Sequence, residues 1–138
     1  MKKYLFIFLI SLNLNCQNLV EKITFQSANP FSFYDVITDL KNQEKQEVYG
    51  ELIIPYDSLN PDKKYPLVLG VAGSLGWKNH HYEYLTMYQN LGFATFELNS
   101  FKSRSIKSTV GDQTQVTTAA MILDAYRALE ILSDHPNI

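Results

Sequence analysis

Apolar and polar positions change texture halfway along this chain. Residues 48–54 form an apolar run closed by Pro55, which reads as a strand, because proline cannot donate to a β-ladder. Residues 67–72 are continuously apolar or small, the pattern of a strand covered on both faces. Between 81 and 91, Tyr84, Leu85, Tyr88 and Leu91 recur at three- and four-residue spacing and predict a helix with one buried face. Gly92 stops it, as a residue able to take a positive φ. Residues 93–98 predict the next strand, and the polar run 99–115 a long loop. A last helix places Ala119, Ile122, Tyr126, Leu129 and Leu132 on one face, and Pro136 ends it.

Strand, helix, strand, loop, helix predicts an α/β sandwich with right-handed crossovers and a mostly parallel sheet. The runs 48–54 and 67–72 are joined by residues 56–64, which have the composition of a turn. They are expected to form an antiparallel pair. The first half of the chain is less patterned. Residues 17–27 read as a tether with a short strand around Ile23, Thr24 and Phe25. Phe31, Phe33 and Val36 are expected against the sheet edge, and residues 39–47 as a surface turn. The expected organisation is therefore a leader at 1–16, a tether and N-terminal edge segment at 17–47, and one domain from 48 to 138.

The leader decides the compartment. Met1, Lys2 and Lys3 are a basic start, and residues 4–12 are an apolar run too short to span a bilayer as a helix. Cys16, the chain's single cysteine, follows where a bacterial lipoprotein carries its lipid, although Asn13 and Asn15 depart from the usual lipobox. Export is expected, as a secreted, periplasmic or membrane-anchored bacterial protein. Lipidation at Cys16 and an ordinary cleaved signal both remain open. One cysteine excludes an intrachain disulfide and a cysteine-based zinc site. A net charge of −2 gives no basic field for nucleic acid.

Candidate chemistry gathers after the strand at 67–72. The turn Ala72-Gly73-Ser74-Leu75-Gly76 is neither a spaced three-glycine dinucleotide fingerprint nor a P-loop. Ser74 fits a relaxed nucleophile-elbow pattern, but Trp77, Lys78, Asn79, His80 and His81 follow it where a helix should begin at once. Adjacent histidines on a helix point about 100° apart, so His80 and His81 are expected at a solvated helix start and no metal site is expected. His135, Asp124 and Arg127 read as surface residues.

The strand and turn at 65–77, the strand at 93–98 and the loop with Asn99, Ser100, Phe101 and Arg104 together resemble the N-terminal half of an α/β-hydrolase. The likeness is nearest to the dienelactone hydrolase branch and covers roughly residues 48–138. It implies an α/β-hydrolase-like three-layer sandwich with an antiparallel N-terminal hairpin, incomplete in this chain. It further implies serine-type hydrolysis of a small carboxylic ester or lactone, without a cofactor. By that resemblance Gly73 matches the family's glycine, and the Ser74 N–H donates into the oxyanion hole. Ala72 stands where the family has histidine. Arg104 matches an arginine that would touch an anionic substrate group or brace the loop, or it is a plain surface arginine. Asn99 replaces the family's aspartate. The nucleophile, acid and base are expected beyond Ile138, so the chain as given is expected to be inactive. The alternative is a non-catalytic exported domain, a lipoprotein that binds a ligand or partner.

Overall fold

The computed structural model describes residues 17–138 of the chain. The leader and Cys16 lie outside the described residues. Four strands and three α-helices follow one another as β1 (Gln17–Ala28), α1 (Phe33–Thr38), β2 (Lys45–Tyr56), β3 (Leu67–Val71), α2 (Asn79–Asn90), β4 (Ala94–Leu98) and α3 (Thr118–Leu132). They build one mixed sheet with the order β1-β2-β4-β3, so the fold is α/β.

The sheet departs from the mostly parallel expectation. β1 runs antiparallel to β2 over twelve register pairs, from Gln17 opposite Tyr56 to Ala28 opposite Lys45. β2 runs antiparallel to β4, and β3–β4 alone is a parallel pair. Nor do 48–54 and 67–72 pair with each other, because β4 inserts between them. The expected tether at 17–27 is instead the longest edge strand. Its Glu21, Ile23, Phe25 and Ser27 alternate inward while Asn18, Val20, Lys22, Thr24 and Gln26 stay exposed, the two-residue period of a half-buried strand. Polar Glu21 and Ser27 on the inward side and apolar Val20 on the outward side hid that period from the sequence. No boundary separates 17–47 from the domain, since β1 and β2 share one ladder.

Pro55 does not end its strand. β2 continues through it to Tyr56 because the β4 ladder stops at Ile53, leaving Pro55 opposite β1 alone. A proline costs little where no second neighbour needs its missing N–H. The aromatic stretch after Pro30 is the short helix α1, capped reciprocally by Ser32 and Asp35. Phe31 and Phe33 are exposed rather than laid on the sheet, and Val36 is half-buried.

β4 is buried along its whole length and separates two layers. Thr95 and Glu97 face α2, whose Gln89 Nε2 donates to Thr95 Oγ1 at 2.7 Å and whose Tyr82 hydroxyl reaches Glu97 at 3.5 Å. Ala94, Phe96 and Leu98 face the other way and join Ala128 and Leu132 of α3 in the main core, with Val48, Leu52 and Ile54 of β2. Gly92 follows α2 with φ +85°, as its role beyond the helix end requires.

The buried face of α3 is rotated from the expected one. Ala119 and Leu132 are buried, but Ile122, Tyr126 and Leu129 are exposed, Tyr126 at 70%. The covered positions are Ala120, Leu123, Asp124 and Ala128. Small alanines let the helix approach the sheet closely, which selects their face over the bulkier one. Thr117 caps the helix by accepting from Ala120 N–H and also donates to Pro30 O at 2.6 Å, tying the helix start to the β1–α1 connection.

Candidate functional site

The carboxyl ends of β3 and β4 lie side by side, with Val71 opposite Leu98. In open α/β sheets such an edge is where ligands bind. Beyond it a cavity of about 210 Å³ opens between the 72–76 turn and the 99–107 loop. Ala72, Leu75, Gly76 and Trp77 line one side, and Asn99, Ser100, Phe101 and Ile106 the other. Lys78, Lys102 and Lys107 also reach it.

The turn closes through Gly76 N–H donating to Gly73 O at 2.8 Å. Gly76, not Gly73, is the glycine this geometry needs: its φ is +71°, and a Cβ there would lie 3.1 Å from Lys107 O. Gly73 has open space where its Cβ would stand. The Ser74 carbonyl accepts from Thr109 N–H at 2.9 Å and from the Ser108 hydroxyl at 3.0 Å. Those two bonds fasten the turn to the far loop. Among the described residues nothing accepts from the Ser74 N–H. Gly73 and Ser74 are exposed and stand beside the cavity, whose wall is made by their neighbours Ala72, Leu75 and Gly76.

Trp77 locks the turn to the sheet. Its indole Nε1 donates to Leu98 O at 2.9 Å, and its ring stacks on Tyr82 at 5.6 Å. α2 begins at Asn79, five positions after Ser74, so the serine is not on an immediate strand-to-helix elbow. His81 Nδ1 accepts from Lys78 N–H at 3.0 Å and so caps α2. His80 lies beside it, and the described residues hold no cluster of three metal-ligating side chains.

Arg104 takes the bracing role among its alternatives. Its guanidinium forks onto Asp124 at 2.7 and 3.1 Å, and it also donates to Asn29 Oδ1, Ala28 O and Ser100 O. Its side chain is 5% exposed and that of Asp124 is 0% exposed. Asp124 is thus no surface charge. It is the buried counter-ion that fixes the end of β1, the loop after β4 and the middle of α3 to one another. A planar fork suits such bidentate pairing, which a lysine could not reproduce. Arg127 does lie on the surface, paired with Glu130. His135 is half-buried rather than exposed, with Nε2 3.3 Å from Glu21 Oε2 and Nδ1 accepting from Asn137 N–H.

Two polar groups stand at the cavity, and sequence reasoning missed the first of them. Glu97 holds Lys102 at 3.2 Å and sits beneath the Tyr82 hydroxyl. Burial, and after it the Glu97 charge, pushes the Tyr82 phenol above its ordinary pKa. Burial pulls Lys102 down, but the Glu97 hydrogen bond and charge outweigh it and leave the ammonium above its ordinary value. The second group is Asn99 and Ser100, 1% and 4% exposed. The Asn99 Oδ1 and Ser100 Oγ atoms are buried without a hydrogen-bond partner. The signal that would have found Glu97 is its alternation with Thr95 in an otherwise apolar strand. No family model and no curated protein matches this chain.

Proposed function

We propose that this chain supplies the carbonyl-binding turn and part of the pocket of an exported serine-type hydrolase acting on carboxylic esters or lactones. The observation that carries it is the fastened 72–76 turn beside the cavity at the β3–β4 carboxyl edge, with the Ser74 N–H left without a protein acceptor. A held backbone donor costs no reorganisation when an oxyanion forms against it. The order β1-β2-β4-β3 with an antiparallel start supports the same reading. The test is turnover of p-nitrophenyl acetate by the full-length gene product. Ser74→Ala should leave the rate unchanged, because the backbone N–H remains. Ser74→Pro should lower kcat by roughly 10²–10³, the cost of one oxyanion donor. Loss of turnover in Ser74→Ala would make the side chain the nucleophile and overturn the assignment.

A ligand-binding domain without turnover is the second reading. It is favoured by one observation: Ala72 and Asn99 stand where the resembling family has histidine and aspartate. Absence of turnover by the full-length gene product would select it.

A further inference from the structure

Residues 107–115 form a loop with a neck. Ile106 and Val116, on either side of it, meet in one small apolar cluster with Phe101, Ala120 and Met121. Within the loop only Thr109 is buried. Most of its hydrogen bonds turn inward: Ser108 Oγ accepts from Val110 N–H, Thr109 O from Asp112 N–H, and the Asp112 carboxylate from Thr114 and Gln115. Among the described residues, its hydrogen bonds to the rest of the protein all end on one atom. Ser74 O accepts from Thr109 N–H at 2.9 Å and from the Ser108 hydroxyl at 3.0 Å. A compact loop with joined ends and a single outside anchorage lifts as a unit about its neck, because lifting breaks few contacts. From this we propose that 107–115 is a strap over the candidate site. When it is down, the 72–76 turn is set and the cavity is walled on that side; when it lifts, both are released together.

The atom on which the strap latches makes the two events one. Gly76 N–H and Gly73 O close the turn, and Ser74 O belongs to the peptide midway between them. In a four-residue turn the middle peptide is the one that rotates when one turn type changes into another. Two hydrogen bonds on its oxygen hold it in a single orientation. The strap also comes down against Gly76, backbone to backbone: a Cβ there would lie 3.1 Å from Lys107 O, so a glycine leaves the room the strap needs. The cavity follows because Lys107 belongs both to the strap and to the cavity wall. Covering the site and ordering its turn are thus coupled through Ser74 O, the arrangement of a closing loop that completes a site as it shuts. That the turn serves an ester carbonyl rests on the hydrolase reading, whereas the strap rests on these contacts alone.

The experiment is amide hydrogen exchange, followed by NMR on the full-length gene product without substrate. Thr109 N–H reports the latch and Gly76 N–H reports the turn. Ser108→Ala removes one of the two latch bonds and should speed exchange at Thr109 about fivefold. Gly76 should accelerate by the same factor, because one lifting motion exposes both. Asn99 N–H, bonded to Tyr49 O in the sheet, should keep its rate. Thr109→Pro removes the other donor and should speed Gly76 by at least as much. Should Thr109→Pro fail to fold, Ser108→Ala decides alone. Faster exchange at Thr109 with Gly76 unmoved would overturn the coupling, and no change at either amide in Ser108→Ala would overturn the latch. Equal acceleration at Asn99 would mean that the whole sheet opens rather than a strap, and would overturn the proposal as well. Since no substrate is present, failure here leaves the hydrolase reading to its own turnover assay, and absence of turnover leaves the strap standing.

Discussion

Arg104 and Ser100 are four positions apart in one loop and treat their polar atoms in opposite ways. Arg104 spends its donors on Asp124, Asn29, Ala28 and Ser100 O, all within the protein. Ser100 and its neighbour Asn99 are as deeply buried, yet each keeps an atom without a partner. Burial is the same and satisfaction is not. A saturated buried network holds elements together and has nothing left for a ligand. An unsaturated one weakens the fold where it stands.

Breaking the saturated side should have the largest effect. Asp124→Ala leaves the Arg104 charge buried without its counter-ion and should lower unfolding stability by about 3–5 kcal/mol. Urea denaturation checks it, with Arg127→Ala as a control. The Arg127–Glu130 pair lies on the same helix but in solvent, and its loss should stay within about 0.5 kcal/mol. Equal effects from the two would remove the distinction between them.

The unsaturated side should respond with the opposite sign. Ser100→Ala deletes an unpartnered hydroxyl and should raise the urea midpoint, by up to about 1 kcal/mol in stability. A fall would mean that the hydroxyl already has an acceptor.

The smallest effect concerns the Glu97–Lys102 pair at the cavity, which is partly solvated. Lys102 and Tyr82 are both held above their ordinary pKa values. Each therefore contributes stability that is fully present below the unfolded values, near pH 10, and is lost as pH rises through the folded ones. Urea midpoints measured from pH 8 to 11 should decline at the alkaline end, and Glu97→Gln should make that decline shallower. An unchanged slope would detach Glu97 from both groups.

What the sequence revealed follows from which physical signal each element carries. β4 was legible from its apolar run, and the presence of α2 from its spacing and Gly92; its buried face was not, since of Tyr84, Leu85, Tyr88 and Leu91 only Leu85 is buried while Tyr84 and Leu91 are exposed. The location of the cavity edge was legible too, since a glycine turn after an apolar strand has few other readings. The register of α3 was not. Ile122, Tyr126 and Leu129 carry more apolar surface than Ala120 and Ala128, whereas packing against a sheet rewards the smaller side chains. Asp124 read as surface because a charge on a helix usually is, and its partner lies twenty positions earlier in a loop. β1 was half hidden because Glu21 and Ser27 put polar residues on its inward face, Val20 puts an apolar one outside, and its extent is set by its partner β2.

The strand order carries a consequence for how the chain comes into being. During synthesis β2 is complete at Tyr56, and its twelve-pair partner β1 has already been made. β3 is in the opposite position. Its neighbour in the sheet is β4, whose last residue, Leu98, is added 27 positions after Val71. A hairpin can therefore close early, though a two-stranded pair is marginal alone in water. β3 must wait as an extended, partnerless segment until β4 slots between it and the hairpin. Over that interval Leu67, Val68 and Leu69 are open to wrong pairing, which makes β3 the part of the nascent chain where a chaperone has most to protect.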